Sequence, residues 1–330
     1  MKILVTGAEG FIGSHLTETL VKEKFDVRAL VLYNSFSSCG WIDSFPDKIK
    51  NKIKIFPGDV RDKELTEKAI KGVDVIFNLA ALIGIPYSYI ANQSYIDTNV
   101  IGLLNILNAS IDSKVKQIVH ISTSEVYGTP KSLPIKEEAK LNAQSPYAAS
   151  KIAADQLALS FNKSYGLPVT IIRPFNTYGP RQSARAIIPT IITQALKKNI
   201  IDIGSIFPTR DFLYVEDTVR GMISTINNKK SIGEVINLGS GYEISIRELA
   251  KMIGKILKVN IKFKYNKVRT RPEKSEVERL LASNLKAKKI LNWKPKCKNQ
   301  RGLEFGLTKT INWFKNKANL ELYKTSKFNY

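Results

Sequence analysis

The most constraining feature of this 330-residue chain is its opening stretch, KILVTGAEGFIGSHLTETLVKE, in which an apolar strand runs through a glycine-rich turn into a helix. Gly7, Gly10 and Gly13 are spaced three residues apart in that turn. Glycine permits a tight turn, lets the main chain approach a pyrophosphate and lets the helix pack closely on the strand. A plain tight turn is the alternative, but the position between the first strand and the first helix favours a dinucleotide site.

The following stretches alternate apolar strands with helices. VDVIFNLAA and KQIVHISTS are continuous apolar runs, which predict a parallel sheet covered on both faces. SPYAASKIAADQLALSFNKSYG predicts a helix that Ser-Pro opens and glycine closes. We expect an α/β protein, with a Rossmann doubly wound parallel sheet in residues 1–175 and a smaller mixed α/β substrate domain in residues 176–330. A segment around residues 211–240 could return to the first domain, and the polar tail after Lys315 is expected to lack structure.

Composition excludes several classes of protein. The hydrophobic content of 43% is typical of a soluble globular chain, no apolar run reaches the length of a membrane span, and the N-terminus has no signal-peptide pattern. A cytoplasmic location is therefore expected. Cys39, Cys297, His15 and His120 match no metal-site spacing, so no metal is expected. The net charge of +22 comes from scattered lysines, which indicates solvated surfaces rather than a nucleic-acid site.

The end of the second strand is unusual for a dinucleotide site. An acidic residue there usually binds the adenosine ribose hydroxyls, but this chain has Leu32, followed shortly by Asn34 and Ser35. No pair of arginines follows to hold the 2′-phosphate of NADP. We therefore expect NAD, with Asn34 and Ser35 hydrogen-bonding the ribose. Asp59 and Val60 end the third strand, at the expected adenine edge, although Asp59 could equally cap the next helix.

Polar side chains follow the fifth strand in STSEVYG, Ser122–Gly128. Further along, YAASK places Tyr147 and Lys151 four residues apart, on one face of a helix. A nearby lysine lowers the pKa of a phenol and lets it act as a base near neutral pH. Thr123, at the strand end, can share a substrate hydroxyl with Tyr147. A lone Tyr-x-x-x-Lys pattern is usually a solvated helix face, but its place behind the strand and the glycine turn indicates catalysis.

These motifs together resemble those of one known family. The glycine turn, NLAA, STSEVYG, YAASK and RPFNTYGP are similar to the motifs of the extended short-chain dehydrogenase/reductases, which include NAD-dependent epimerases, decarboxylases and 4,6-dehydratases of nucleotide sugars. The resemblance extends to about residue 313. It implies that Tyr147 is the base, that Lys151 is its partner and a ribose ligand, and that Thr123 assists at the hydroxyl. It also implies that the second domain binds a nucleoside diphosphate sugar.

The motifs and the resemblance together predict two sets of contacts. The predicted NAD contacts are Gly7, Gly10, Phe11, Ile12, Gly13, Asn34, Ser35, Asp59, Val60, Leu79, Ala80, Ala81, Asn99, Ser122, Tyr147, Lys151 and Pro174. The predicted substrate contacts are Ser124, Glu125, Asn176, Arg185, Arg210 and Arg271. Because a diphosphate needs cations and oriented donors, Arg210 and Arg271 are the candidates for binding it.

The presence of Glu125 helps to distinguish between the reactions known in this family. Oxidation at C4 of a hexose makes the C5 proton acidic, so that a carboxylate can remove it while the C6 hydroxyl leaves as water. Glu125 could supply this base and also the acid, whereas a 4-epimerase needs no such carboxylate. A salt bridge at the loop mouth is the other role open to Glu125. UDP-glucuronate decarboxylases also resemble STSEVYG, but they differ between the tyrosine and the lysine. A non-catalytic NAD-binding regulator would be expected to lose the catalytic set.

Three longer stretches narrow the resemblance further. YNSFSSCGWID, FNTYGPRQSARAIIPTII and RTRPEKSEVERL look like the 4,6-dehydratase of the legionaminic acid pathway, which acts on a nucleotide-linked N-acetylglucosamine. Cys39 departs from the resemblance to that enzyme, in which a larger side chain is expected at this position. UDP and GDP both remain open as the carrier nucleotide.

Two helices carry more apolar residues than one core-facing stripe requires. In the helix from Tyr95 to Ser110 the surplus consists of Leu103, Leu104, Ile106 and Leu107. In relatives, this helix and the one from Tyr147 to Phe161 pair across a two-fold axis, so we expect a homodimer. Burial within the chain's own domain is the alternative.

Overall fold

The computed structural model describes residues 1–323, except for the side chain of Val268. Its strands are β1 (Lys2–Thr6), β2 (Asp26–Val31), β3 (Ile53–Pro57), β4 (Val75–Asn78), β5 (Gln117–Ile121), β6 (Val169–Pro174), β7 (Asn176–Tyr178), β8 (Ile200–Ile203), β9 (Thr209–Tyr214), β10 (Val235–Leu238), β11 (Glu243–Ser245), β12 (Lys262–Tyr265) and β13 (Arg279–Leu280). Its α-helices are α1 (Phe11–Lys22), α2 (Asp47–Lys50), α3 (Lys63–Ile70), α4 (Ile85–Ser88), α5 (Asn92–Ile96), α6 (Gly102–Ile111), α7 (Pro146–Tyr165), α8 (Ile187–Ala195), α9 (Val215–Ile223), α10 (Ile246–Leu257), α11 (Leu285–Leu291), α12 (Asn299–Lys315) and α13 (Lys317–Glu321).

A seven-stranded parallel sheet forms the centre of the molecule. The strand order is β10-β6-β5-β4-β1-β2-β3, so the expected doubly wound α/β fold is confirmed. Every residue of β5 and β6 is buried, as expected for strands covered on both faces. Leu16 of α1 and Val219 of α9 pack on one face of the sheet. Leu103 of α6 and Ala154 of α7 pack on the other face.

The order reverses between β1 and β4, where parallel α/β sheets bind ligands beyond the strand ends. A smaller sheet lies on the C-terminal side in sequence, where β9 pairs with β7, β11 and β13. The chain then returns, because β10 joins the large sheet beside β6 and registers Val235 with Ile171. The predicted domain division itself stays a prediction, but this crossing places segments after residue 176 in the central sheet.

The helix expected at a dimer interface is partly used inside the chain. Leu103, Ile106 and Leu107 lie in this chain's own core, each at most 1% exposed, because they face the sheet. Three of the four residues named as a surplus are therefore explained without a partner. Isoleucines further around the same region are exposed instead: Ile96 and Ile101 are each 40% exposed.

The segment after Lys315 is more ordered than its polar composition suggests. It forms α13, and the Asn319 side chain donates to the carbonyl of Trp313 over 3.0 Å. Tyr323 packs against Trp313 and Trp41, with ring centroids 6.0 Å away in each case. The expectation of a disordered tail was therefore wrong up to residue 323, and residues 324–330 lie outside the described part. Within residues 1–323 no helix is both long and apolar enough to cross a membrane.

Candidate active site

A cleft of about 1230 Å³ lies along the ends of the central strands. Sites for one small ligand usually enclose about 300–1000 Å³, so this cleft has room for a dinucleotide and a second ligand. Most of the predicted contacts line it: Gly7, Gly10, Phe11, Ile12, Gly13, Asp59, Val60, Leu79, Ala80, Ala81, Ser122, Thr123, Ser124, Glu125, Tyr147, Lys151, Pro174, Asn176, Arg185, Arg210 and Arg271. The structure thus brings the glycine turn, the Tyr-Lys pair and the predicted substrate residues to one place.

The glycine turn has the form that a pyrophosphate requires. A Cβ at Gly13 would lie 2.1 Å from the carbonyl oxygen of Gly7, so only glycine permits this approach of helix to turn. Gly7 has φ +64°, and a Cβ there would meet the Ala80 main chain at 3.0 Å. Helix α1 begins after Gly10 with no side-chain cap and no acidic residue in its first turn. Its first amides are therefore available to an anionic group.

Thr6 holds the ends of β1 and β4 together beside this turn. Its hydroxyl accepts hydrogen bonds from the amides of Leu79 and Ala80, at 3.1 and 3.0 Å. The same hydroxyl donates to Asn78 Oδ1 over 2.8 Å. The NLAA segment is thereby fixed against the glycine turn, on the floor of the cleft.

The Tyr-Lys pair lies on the buried face of α7. Ser145 caps this helix by accepting from the amide of Ala148 over 3.1 Å. The Tyr147 hydroxyl lies close enough to the Thr123 side chain for that group to affect its pKa, as expected for two groups that share one substrate hydroxyl. Lys151 Nζ donates to the carbonyl oxygen of Ile121 over 2.6 Å, at the end of β5. The helix and the strand end therefore present three polar groups to the same part of the cleft.

The pKa of Tyr147 shifts in the direction opposite to the one that a neighbouring lysine suggests. Burial raises the pKa of Tyr147 well above its ordinary value; the Thr123 side chain opposes this shift, and the charge of Glu125 adds to it. Burial also lowers the pKa of Lys151 to about 8, against the opposing effect of Asp155. The predicted lowering of the phenol pKa by lysine is not observed, because burial dominates and the ammonium group is directed to the Ile121 carbonyl.

Replacing Lys151 with methionine is expected to stabilise the nucleotide-free protein. The lysine pKa falls from 10.5 to about 8 on folding, so its burial as a cation costs stability below pH 8. Removing that cost should raise the free energy of unfolding by on the order of 1–2 kcal/mol at pH 7, after the loss of one hydrogen bond. Between about pH 8 and 10.5 the unfolded state binds more protons, so wild-type stability rises and the difference shrinks.

Thermal unfolding of both proteins from pH 7 to pH 10 checks this prediction, with Lys163→Met on the same helix as the control. A variant that is less stable than wild type at pH 7, or a difference that grows with pH, would contradict it.

A buried network supports the segment that carries Thr123 and Glu125. Asp155 pairs with Arg173 at 2.9 Å, and both side chains are almost fully buried. Arg173 Nη1 donates to the Tyr127 hydroxyl over 2.9 Å, and that hydroxyl donates to Asn237 Oδ1 over 2.8 Å. Tyr127 ends the short 3-10 helix Ser124–Tyr127, so the network fixes the position of Glu125 relative to α7.

Charged groups from distant segments meet at the other end of the cleft. Arg271 Nη1 lies 3.7 Å from Glu125 Oε2 and 3.8 Å from Glu276 Oε1. Arg210 Nη2 donates to the same Glu276 oxygen over 2.9 Å, and burial lowers the pKa of Arg210. The Arg271 Nη1 group is buried and has no hydrogen-bond partner within the described residues. The two arginines are close enough to act on one anion, with Glu276 between them.

Two predicted ribose contacts lie away from the cleft. The Asn34 amide closes its own loop: Nδ2 donates to the carbonyl oxygen of Ser38 over 2.8 Å, and Oδ1 accepts from the amides of Phe36 and Ser38 at 3.2 Å. Ser35 lies in the same loop and does not line the cleft within the described residues. The side chain proposed for the ribose is thus used to form a turn, which the sequence pattern alone did not reveal.

Asn99 also lies beneath the cleft rather than on it. It sits in the π-helical turn Asp97–Ile101 and is 2% exposed. Its side chain accepts from the amide of Leu82 at 2.8 Å and donates to the carbonyl of Leu82 at 3.0 Å. It also donates to the Ser150 hydroxyl over 2.9 Å. Asn99 therefore holds the segment after β4 against α7, and this structural role accounts for its polar contacts.

Asp59 lines the cleft and does not cap the next helix, and its contact with the adenine stays a prediction. Its Oδ2 accepts from Arg61 Nε and Nη2 at 2.9 and 2.5 Å. The cap of α3 is Asp62 instead, which accepts from the amide of Leu65 over 3.0 Å.

The residues that line the cleft without having been predicted include Glu9, Trp41, Arg61, Arg181, Glu276 and Tyr323. The sequence feature that could have indicated Glu9 is the acidic residue inside the glycine turn, in GAEG. The others come from segments whose approach depends on tertiary structure.

The geometry agrees with what comparison with known proteins shows. Residues 4–305 match the family model for GDP-mannose 4,6 dehydratase. The chain belongs to this dehydratase and epimerase family. A putative UDP-glucose 4-epimerase from Methanocaldococcus jannaschii is 34% identical over 321 residues, which cover 95% of this chain and 98% of the relative. The dTDP-D-glucose 4,6-dehydratase of Mus musculus is 30% identical, over 95% of this chain and 88% of the mouse protein.

A solved structure extends the comparison to the cofactor. The dTDP-glucose 4,6-dehydratase DesIV from Streptomyces venezuelae, a double mutant with NAD bound, has a TM-score of 0.86 at 27% identity. The match covers 99% of this chain and all of that chain. NAD is the cofactor of the family, as the sequence predicted, and the uncapped helix α1 with its glycine turn suits a dinucleotide. Within residues 1–323 no group of His, Cys, Asp and Glu side chains is arranged to hold a metal ion.

Proposed function

We propose that the protein is an NAD-dependent nucleotide-sugar 4,6-dehydratase. The observation that carries this proposal is the position of Glu125. Its carboxylate lines the same cleft as Thr123 and Tyr147, its side chain is 12% exposed, and its charge acts on the Tyr147 hydroxyl. A reaction that only oxidises and reduces C4 has no use for a carboxylate there. Elimination of water across C5 and C6 requires one.

The residues present account for each proton transfer. When bound, NAD would supply a hydride acceptor for the oxidation at C4 and a hydride donor for the reduction at C6, and its positive charge would favour the deprotonated form of Tyr147. Tyr147 takes the proton of the C4 hydroxyl, with Thr123 holding that hydroxyl. Glu125 then removes the proton from C5, which the C4 ketone has made acidic. The C6 hydroxyl leaves as water after protonation, by Glu125 itself or by a water molecule, which gives an enone. Hydride addition at C6 and return of a proton to C5, from solvent through Glu125, would then give the 4-keto-6-deoxy sugar.

The predicted substrate is a UDP- or GDP-linked N-acetylglucosamine. Arg210 and Arg271 would bind the diphosphate, because their guanidinium groups lie on either side of Glu276 in the cleft. Asn176 and Arg185 line the same cleft. The stretches that resemble the legionaminic acid enzyme support the N-acetylated sugar.

A nucleotide-sugar 4-epimerase is the second candidate. Relatives that carry this name match the chain as well as the dehydratases do, and Thr123, Tyr147 and Lys151 would suffice for C4 epimerisation. Under this alternative the Arg271–Glu125 contact would be only a salt bridge at the edge of the cleft. UDP-glucuronate decarboxylation is less favoured because those enzymes share STSEVYG but differ between the tyrosine and the lysine. A regulatory NAD-binding role would not require the intact catalytic set.

Mass spectrometry of products distinguishes these functions. The purified protein is incubated with UDP- and GDP-linked N-acetylglucosamine, glucose, mannose and glucuronate. A mass loss equal to one water supports dehydration, an unchanged mass with altered stereochemistry supports epimerisation, and loss of carbon dioxide supports decarboxylation. A panel with no change in any substrate would overturn the proposal of a nucleotide-sugar enzyme.

We also propose that the protein forms a homodimer through the α5–α6 region and α7. The support is the exposed apolar surface at Ile96, Ile101 and Ile111, of which the last is 42% exposed. Light scattering should give a mass of twice the 37.0 kDa chain. Ile101→Glu is expected to shift the mass to that of one chain, whereas Leu285→Glu, at an exposed site elsewhere, should leave the dimer intact. A wild-type mass of one chain at micromolar concentration would contradict the dimer.

A further inference from the structure

The carboxylate of Glu9 occupies the end of strand β2, where the strand itself has no acidic residue. Glu9 belongs to the glycine turn, yet its Oε1 accepts from the amide of Leu32, the first residue after β2, over 3.0 Å. Its Oε2 is buried and has no hydrogen-bond partner within the described residues. Glu9 also lines the cleft beside Leu32 and Gly10. A carboxylate therefore stands at the position where dinucleotide sites usually bind the adenosine ribose.

The loop that follows β2 holds Glu9 in this position. The amide of Trp41 donates to the main-chain carbonyl of Glu9 over 3.1 Å. Gly40 has φ +55°, and a Cβ there would lie 2.7 Å from the same carbonyl oxygen, so the loop packs closely on Glu9. Because both the main chain and one carboxylate oxygen are held, the side chain has little freedom to turn away from the strand end.

Two arginines in this region are used elsewhere. Arg28, within β2, donates to the carbonyl oxygens of Ala69 and Lys71 on the far side of the sheet. Arg61 lines the cleft but directs Nε and Nη2 to Asp59. Neither guanidinium group is directed at the end of β2, where the 2′-phosphate of NADP would need a cation.

We propose that Glu9 binds the adenosine ribose hydroxyls and selects NAD over NADP. The carboxylate replaces, in space, the strand-end acid that the sequence lacks, and it replaces Asn34 and Ser35 as the ribose ligand. The carboxylate of Glu9 accepts hydrogen bonds from the two hydroxyls of the adenosine ribose of NAD. These hydroxyls supply the donors that its Oε2 lacks. The 2′-phosphate of NADP offers no such donor and brings like charge to the same place, so it is repelled. Burial raises the pKa of Glu9, as expected for a carboxylate that lacks a second strong donor.

The test is the binding of the two nucleotides, measured without turnover. Wild type and Glu9→Gln are titrated with NAD and with NADP by calorimetry after removal of bound nucleotide. Glutamine keeps an acceptor for the Leu32 amide, so the turn should be retained, and melting curves of the two proteins check that it is. We expect NAD to bind at least about tenfold more weakly to Glu9→Gln, which is the range for a lost hydrogen bond to a charged group. NADP should bind no more weakly than to wild type.

Two control variants sharpen the result. Glu64→Gln, at an exposed site on α3, and Ser35→Ala, in the loop, should both bind NAD like wild type. As a second measurement, each protein is incubated with equal concentrations of NAD and NADP, desalted and denatured, and the released nucleotides are quantified. An unchanged NAD to NADP ratio for Glu9→Gln would overturn the proposal, as would a loss of NAD affinity in Ser35→Ala alone. Because no sugar is involved, the outcome is independent of the proposed dehydratase activity.

Discussion

Glu125→Gln is expected to abolish water loss while the oxidation of C4 continues. Glutamine preserves the shape of the side chain but cannot take the C5 proton. Removal of a general base costs a factor of about 10² to 10⁴ in rate, so the dehydrated product should fall by at least that lower factor. Since no enone would then form to accept the hydride at C6, the hydride could return only to C4. The absorbance of reduced nicotinamide should therefore appear when the nucleotide sugar is added and should persist at the equilibrium between the C4 alcohol and the ketone.

Stopped-flow absorbance and product mass spectrometry measure the two halves of this result separately. Glu138→Gln, at an exposed site, is the matched control and should behave as wild type. The Arg271 contact allows a further check, because a purely structural Glu125–Arg271 bridge would alter substrate binding rather than the chemical step. Dehydration by Glu125→Gln at the wild-type rate would rule out its role as base.

The parts of the fold that rest on local pattern could be predicted from the sequence. Apolar strands and the spacing of Gly7, Gly10 and Gly13 specified the parallel sheet and the turn, because their physical requirements lie within a few residues. The helix that carries Tyr147 and Lys151 was predicted for the same reason, with Ser145 as its cap and Gly166, at φ +68°, at its end. In such segments the residues that set the conformation and the residues that perform chemistry are close neighbours in the chain.

The parts that depend on distant segments could not be predicted. Asn34 appears in the sequence as a free amide after a strand, but the loop uses that amide to close a turn. Glu9 reaches the end of a neighbouring strand, and the pairing of Arg210 with Glu276 joins two separate segments. The direction of the Tyr147 pKa shift also could not be predicted from the sequence. Burial raises that pKa, whereas a lysine four residues away suggested a lower value.

In the proposed mechanism, Tyr147 takes the proton of the C4 hydroxyl in the first step. Its hydroxyl lies near the side chain of Thr123, and its ring packs edge-on against Tyr95 with centroids 6.2 Å apart. Phenylalanine would keep that ring contact and remove only the hydroxyl. The buried position, 7% exposed, leaves little access for a water molecule to replace the missing acceptor. Tyr147→Phe therefore tests the role of the hydroxyl while the packing of the cleft stays largely unchanged.

Tyr147→Phe is accordingly expected to lose hydride transfer from C4 by a factor of about 10² or more, with NAD and the nucleotide sugar still bound. Neither reduced nicotinamide nor dehydrated product should form, in contrast to Glu125→Gln, for which reduced nicotinamide accumulates. Calorimetry with the nucleotide sugar measures binding, and single-turnover absorbance measures the transfer. Tyr165→Phe, at a 59% exposed site at the end of the same helix, is the control and should react as wild type does. Turnover by Tyr147→Phe close to the wild-type rate would exclude the phenol as the base and would leave Glu125 as the group that takes both protons.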